Sequence, residues 1–317
     1  MVVWLASTWV FWSGGEAPRP RPRGDQNEGT RLDQGHAGRL RDAVEYRLYR
    51  RQIRLPYAEP FTFLVMRFII VIALLGVVVG IFRAKFPSDP KLWLHLAVSG
   101  LLVHAVYLGG VFAAIRLGVP SGLTALVAGL QPLLTAAVVG PLLGEKVGPR
   151  QWGGLALGLI GVAMVLSTRL TGVRFDGFGW DGMAFAVAAL LAITCGTLYQ
   201  KRYCTGMDLR TGTLIQYLAA LAVVGPAALA TETMVVQWTL PFVLALGWLV
   251  LVLSLGAISL LMTLIRLGEA AKVASFFYLV PPMTALLAWA LFDEVLTPLA
   301  LGGMVATALG VALVVRK

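Results

Sequence analysis

From Pro60 onward the chain alternates long apolar runs with short polar breaks, and the runs are unbroken rather than alternating in character. Nine of them are candidate spans, at about 60–82, 92–114, 120–143, 150–167, 180–199, 211–230, 239–265, 270–292 and 297–315. A helix needs about 20 apolar residues to cross the hydrocarbon of a bilayer. Only helices and closed barrels can satisfy their backbones there. Continuous runs favour helices over the two-residue alternation of an outer-membrane barrel. The pattern therefore predicts an all-α polytopic membrane protein. The run at 239–265 is the longest and predicts a tilted span or one that begins in the interface.

Composition agrees. The chain is 58% hydrophobic and 13% charged with a mean hydropathy of +0.80, whereas soluble domains are about half apolar and a quarter charged. The net charge of +10 does not call for nucleic acid, because most of the basic residues fall in loops between runs, where they set orientation. Cys195 and Cys204 make neither a metal spacing nor a disulfide framework. Membrane lipid is the implied surrounding. No cofactor or metal is implied, and oligomeric state is unreadable.

Residues 1–54 are a different material. Ten arginines and six carboxylates stand between residues 14 and 54, among glycine, proline and glutamine, without apolar periodicity. This predicts a poorly ordered segment. Residues 2–12 are apolar but too short to span, and no basic residue precedes them as a signal peptide requires.

An internal duplication is visible. Ile-Arg-Leu-Gly occurs at 115–118 and again at 265–268. Pro132 and Pro282 fall 150 positions apart, while Glu145 and Glu294, Gly153-Gly154 and Gly302-Gly303, and Gly161 and Gly310 fall 149 apart. Lys and Arg in alternate loops number twelve (Arg83, Lys85, Lys91, Lys146, Arg150, Lys201, Arg202, Arg210, Arg266, Lys272, Arg316 and Lys317) against three (Arg116, Arg169 and Arg174). That bias puts the C-terminus in the cytoplasm. The matching units, about 92–169 and 239–317, then begin on opposite sides of the membrane, with Glu145-Lys146 inside and Asp293-Glu294 outside. Inverted repeats around a central site are a common architecture of secondary transporters. The same count leaves Pro60 outside, so a tenth span would be expected upstream to return the N-terminus to the cytoplasm.

These residues resemble the EamA-domain proteins of the drug/metabolite transporter superfamily. The resemblance is carried by Leu55-Pro-Tyr-Ala-Glu-Pro-Phe61 leading to Met66-Arg67-Phe68, and by Gln131-Pro132 with Leu143-Gly-Glu145. Tyr278-Leu-Val-Pro-Pro282 leading to Phe292-Asp-Glu294, and the glycine-rich run after each glutamate, complete it. It implies ten helices as two inverted five-helix repeats, both termini cytoplasmic, in the plasma (inner) membrane. It also implies export or exchange of small metabolites, amino-acid-like or drug-like, without ATP. The expected division is an N-terminal segment 1–54, a first repeat 55–169 holding helices 2–5, and a second repeat 170–317 holding helices 6–10. The chain departs from the family at RLRDAVEYRLYRRQIR, residues 39–54, where the first helix belongs. We read a missing or altered first helix there, produced by a reading-frame or start-site error upstream of Leu55.

Candidate substrate-binding residues are Arg67, His104, Tyr107, Gln131, Ser275, Tyr278 and Trp289. Arg67 lies seven residues into its span, about 10 Å deep at ~1.5 Å per residue. It holds a substrate anion or snorkels to the interface. His104 and Tyr107, three apart, share a helix face; the histidine accepts a proton or substrate, or is satisfied by a neighbouring carbonyl. Gln216 is a further cavity candidate, Ser254, Ser259 and Thr263 are expected to bridge helices through hydrogen bonds, and plain packing is the alternative for Tyr278 and Trp289. Pro132 and Pro282, read as helix-interior prolines, predict kinks that serve as hinges or only as packing. Gly154, Gly158, Gly302 and Gly310 stand at small-residue spacings that let helices approach closely in lipid. Glu145 is expected to pair with Lys146 or Arg150, or to anchor its helix end.

No carboxylate lies deep in a span, Asp181 being at an edge. Proton coupling would then run through His104, or the protein is a facilitator. A membrane-embedded enzyme is the competing class, yet His36, His95 and His104 make no His-Glu-x-x-His, and Pro120-Ser121-Gly122 lacks the first glycine of a serine-protease motif. No phosphate-binding loop of an ATP-driven pump is present. A non-transporting remnant with a damaged N-terminus is the third reading.

Overall fold

The structure is a computed structural model and describes residues 57–170, 179–257, 263–264, 268, 270–292 and 296–316. The segment expected to hold a missing or altered first helix, Ser259, the carboxylates at 293–294, the repeated motif at 265–267 and the loop holding Arg174 lie outside the described residues.

Helices account for nearly all of what is described. They are α1 (Pro60–Ile81), α2 (Pro90–Arg116), α3 (Ser121–Leu143), α4 (Pro149–Leu170), α5 (Trp180–Tyr203) and α6 (Leu209–Thr231). Then come α7, which starts as Leu240–Trp248, α8, which is built from three short segments, and α9 (Pro298–Val315). Seven of the described helices are long and apolar enough to span a bilayer: α1 to α6 and α9.

Their ends follow local chemistry. Pro60, Pro90 and Pro298 occupy first-turn positions, where the missing N–H costs nothing. Asp89 and Asp208 accept N–H groups from Lys91 and Arg210, and Thr297 accepts from Ala300. Gly118 and Gly144 end α2 and α3 with φ of 92° and 70°, a conformation glycine reaches without the Cβ penalty.

The duplication organises the packing. Adding 149 or 150 carries the starts of α1, α2, α3 and α4 (60, 90, 121, 149) to those of α6, α7, α8 and α9 (209, 240, 270, 298). Helices so related pack on one another: α1 on α6, α3 on α8, α4 on α9. The α4–α9 contact shows their sense. A Cβ on Gly154 would stand 2.6 Å from Gly310 O, and one on Gly161 2.6 Å from Gly303 O. One helix ascends as the other descends. Gly154 and Gly161 map onto Gly303 and Gly310, so the contact is its own image, as a two-fold axis through an inverted repeat requires.

Two features differ from the sequence expectation. Helix α3 is interrupted at Gly129–Leu130, and α8 passes through a 3-10 turn at Phe276–Leu279 between Ala270–Ser275 and Val280–Phe292. Pro132 and Pro282 each fall in the first turn of the segment that follows. They restart a helix rather than kink an unbroken one, because a first-turn proline forfeits no hydrogen bond. The second difference is a widened turn in each copy: Leu101–Val106 in α2 and Leu249–Ala257 in α7 are π-helical.

Candidate substrate site

Both π-helical turns face helices of the opposite repeat. The turn in α2 packs on α6, and its counterpart in α7 packs on α1. Such turns add a residue to the helical circuit and recur at functional sites.

Arg67 on α1 meets the second turn. It is 1% exposed among Leu64, Phe68 and Val71, all fully buried. Its Nε donates to Ser254 Oγ at 2.9 Å, and Ser254 donates in turn to Leu249 O at 3.2 Å. The hydroxyl is thereby fixed in direction. Arg67 Nη1 has no hydrogen-bond partner among the described residues. The phenols of Tyr217 and Tyr107 lie within electrostatic reach of the guanidinium, as does the imidazole of His104.

His104 lies in the first turn and is also 1% exposed. Its ring stacks on Tyr217 at 4.3 Å between centroids and 20° between planes, with Phe68 edge-on at 6.4 Å. Neither ring nitrogen has a partner among the described residues. Gln216 neighbours His104 and is held from behind: its Nε2 donates to Ser99 Oγ at 3.3 Å and Gln200 Oε1 at 3.4 Å. Ser99 donates to the same Gln200 oxygen at 3.1 Å. Gly100 lets the helices meet here, since a Cβ would stand 2.5 Å from Gln216 Cα.

The structure thus brings Arg67, His104 and Tyr107 together with Gln216 and Ser254, and adds Tyr217. Their buried open donors and acceptors are costly to leave unpaired. Gln131 and Tyr278 belong to a different group, on α3 and α8. Both are 1% exposed; both amide atoms of Gln131, the Thr135 hydroxyl and the Tyr278 hydroxyl lack partners among the described residues. The Tyr278 ring covers Gly158, where a Cβ would stand 2.5 Å from Cδ2. Ser275 is buried and donates to Lys272 O at 2.7 Å. Trp289 is 54% exposed on α8 and is not part of either buried group. Gly302 is exposed, and the close approach to α4 is made by Gly303 beside it.

Two sets of ties close the ends of the bundle. At one end the Glu232 carboxylate accepts from Phe61 N (2.9 Å), Thr62 N (2.7 Å) and Thr62 Oγ1 (2.8 Å), and pairs with Arg116 at 3.2 Å. Glu59 accepts from Thr233 N and Oγ1. At the other end Glu145 pairs with Lys201, a basic residue 56 positions away, and accepts from Ala270 N at 2.8 Å. Glu232 and Glu145 each sit on the first turn of a helix from the other repeat, where N–H groups and the helix dipole favour negative charge.

A many-helix bundle of two inverted copies, with an arginine held between them, is an architecture of polytopic membrane transporters. Comparison with known proteins gives the family. The EamA-like transporter family matches residues 47–167 and 180–316, one match per copy. The chain belongs to that family. It is 31% identical over 215 residues to the uncharacterized inner membrane transporter YedA of Escherichia coli K12, covering 67% of this chain and 68% of that one. It is 28% identical over 270 residues to the uncharacterized transporter YvbV of Bacillus subtilis, covering 83% and 85%. It is 27% identical over 232 residues to a probable amino-acid metabolite efflux pump of Escherichia coli K12, covering 69% and 76%. A solved crystal structure superposes with a TM-score of 0.67 at 20% identity, over 88% of this chain and 95% of that one. The fold is shared. The protein is a multi-pass membrane transporter.

Proposed function

We propose that this protein carries small, amino-acid-like or drug-like metabolites across the plasma membrane by alternating access, without ATP. The observation that carries the proposal is Arg67. A fixed cation at the contact between two inverted copies, with one face unpaired, is expensive in lipid unless a ligand completes it. The neighbouring ring of His104 and the amide oxygen of Gln216 offer further open hydrogen-bonding atoms. Relatives named as inner membrane transporter and as amino-acid metabolite efflux pump support the location and the substrate class.

In this reading α1 with α2 and α6 with α7 rock about the α4–α9 seam, exposing Arg67 to one side and then the other. The seam suits the role of a pivot because its glycines bring two backbones into contact. The end tied by Glu145 and Lys201 is cytoplasmic, as is the C-terminus, because the loops there hold the greater share of lysine and arginine.

The test is flux in proteoliposomes lacking nucleotide, read for a panel of metabolites by mass spectrometry. Saturable flux that falls at least tenfold in Arg67→Ala and in His104→Ala is expected. Full flux in both variants removes this site. Hydrolysis of a test compound without movement removes the carrier.

A further inference from the structure

The two copies are chemically unequal where they meet, and the inequality bears on the charge of the cargo. By the repeat offset Arg67 corresponds to Gln216, Phe68 to Tyr217, and His104 to Ser254. The pairs made in the structure follow that correspondence: Arg67 with Ser254, Gln216 beside His104. One half of the site carries a permanent positive charge, and the matching half carries a neutral amide. Along α1 to α9 the only carboxylate is Asp181, at the second position of α5. Nothing acidic in the described spans balances Arg67, and nothing acidic is there to receive an ammonium group.

We infer that the cargo is an organic anion of net charge −1. A carboxylate completes Arg67 Nη1, and an apolar or aromatic body lies against Phe68 and Tyr217. The inference rests on the carrier reading above and narrows it. An amino-acid-like cargo then has its amino group absent or acylated, since a free ammonium would enter beside a guanidinium with no counter-charge. A carboxylate is the ligand that a guanidinium with an open N–H face pairs best, through charge-assisted hydrogen bonds. The net charge also fixes the driving force. A −1 cargo moving without a compensating proton is pushed out of a cell whose interior is negative. Each 100 mV supports an outward concentration ratio of about 50-fold. Export then needs no coupling ion.

The experiment uses full-length protein in proteoliposomes and a mixture of short aliphatic and aromatic carboxylates, their N-acetyl amino acid analogues, and the matched free amino acids, amides and amines. Flux is read by mass spectrometry at zero and at imposed potassium-diffusion potentials. Carboxylates and N-acetyl amino acids are expected to move at least tenfold faster than the amides and amines. Their efflux should accelerate when the compartment they leave is negative. Arg67→Gln should abolish the preference for carboxylate over amide, and Arg67→Lys should retain it. Preference for free amino acids or amines, or carboxylate flux indifferent to potential, overturns the anion assignment and leaves the carrier standing. Absence of flux for every compound overturns the carrier itself. If Arg67→Gln does not fold, the charge series and the potential dependence of the unaltered protein still decide.

Discussion

Arg67 and Ser254 lie 187 positions apart and share a hydrogen bond of 2.9 Å inside the bundle. The bond ties α1 of the first copy to the π-helical turn of α7 in the second, and Gln216 beside His104 is its image. Ser254 also donates to Leu249 O, so its hydroxyl cannot turn away from the arginine without losing that bond. Ser254→Ala should leave Nε as well as Nη1 unpaired. A hydrogen bond to a charged group is worth about 1.5–3 kcal/mol in soluble proteins, while interhelical bonds in membranes average about 0.6 kcal/mol. The expected cost is about 1–2 kcal/mol, read as a lower midpoint of denaturant unfolding in micelles. Ser254→Thr, which keeps the hydroxyl, should recover most of it.

The α4–α9 seam makes a sharper prediction, because a glycine just off the contact supplies the control. A Cβ on Gly310 would stand 2.5 Å from Gly158 N, whereas one on Gly153 meets nothing within 4 Å. Backbone cannot yield as a flexible side chain can. Gly310→Val should cost at least ~3 kcal/mol, at or beyond the usual range for overpacking, and should lower the yield of folded protein. Gly153→Val, on the exposed face, should be close to neutral. Equal effects of the two in thermal unfolding would mean that α4 and α9 do not cross at these glycines.

Much of this was legible in the chain. Apolar runs located the helices, since in lipid a backbone has few other choices. The offset of 149 to 150 residues predicted which helices are images of each other. The same offset reaches into the site: applied to Arg67 and Phe68 it leads to Gln216 and Tyr217, and applied to His104 it leads to Ser254. The π-helical turns were not legible, because one extra residue in a helical circuit leaves no mark in an apolar run. Glu232 was not legible either. It stands in a short polar loop, and its value comes from Phe61 and Thr62, some 170 positions away. The prolines misled in detail, since a proline inside a span reads alike whether it bends a helix or restarts one.

Glu232 and Arg116 form an ion pair, yet their substitutions should differ. The carboxylate side chain is fully buried and accepts from two backbone N–H groups and a hydroxyl, while the Arg116 side chain is 43% exposed. Exposed pairing is worth little, and a lost helix-end acceptor costs about 0.5–2 kcal/mol. Arg116→Ala should change stability by less than ~0.5 kcal/mol. Glu232→Ala should cost about 2 kcal/mol and should loosen the Tyr57–Thr62 segment, seen as faster amide exchange at Phe61 and Thr62.

The end ties also bear on which way the chain threads the bilayer. Arg116 and Thr233 lie at the end tied by Glu232; Lys146 and Thr205 lie at the end tied by Glu145 and Lys201, and all four are exposed. Single cysteines at these positions, in a chain with Cys195 and Cys204 replaced by alanine, should therefore react in two pairs. A membrane-impermeant maleimide added to intact cells should label positions 116 and 233, and should reach 146 and 205 only after permeabilisation. This expectation follows from the excess of basic residues in the loops at the second end. The opposite pattern would invert the orientation and keep the fold. Labelling of 116 and 146 from the same side would mean that α3 does not cross the membrane, and with it the inverted pairing of α3 and α8 would be lost.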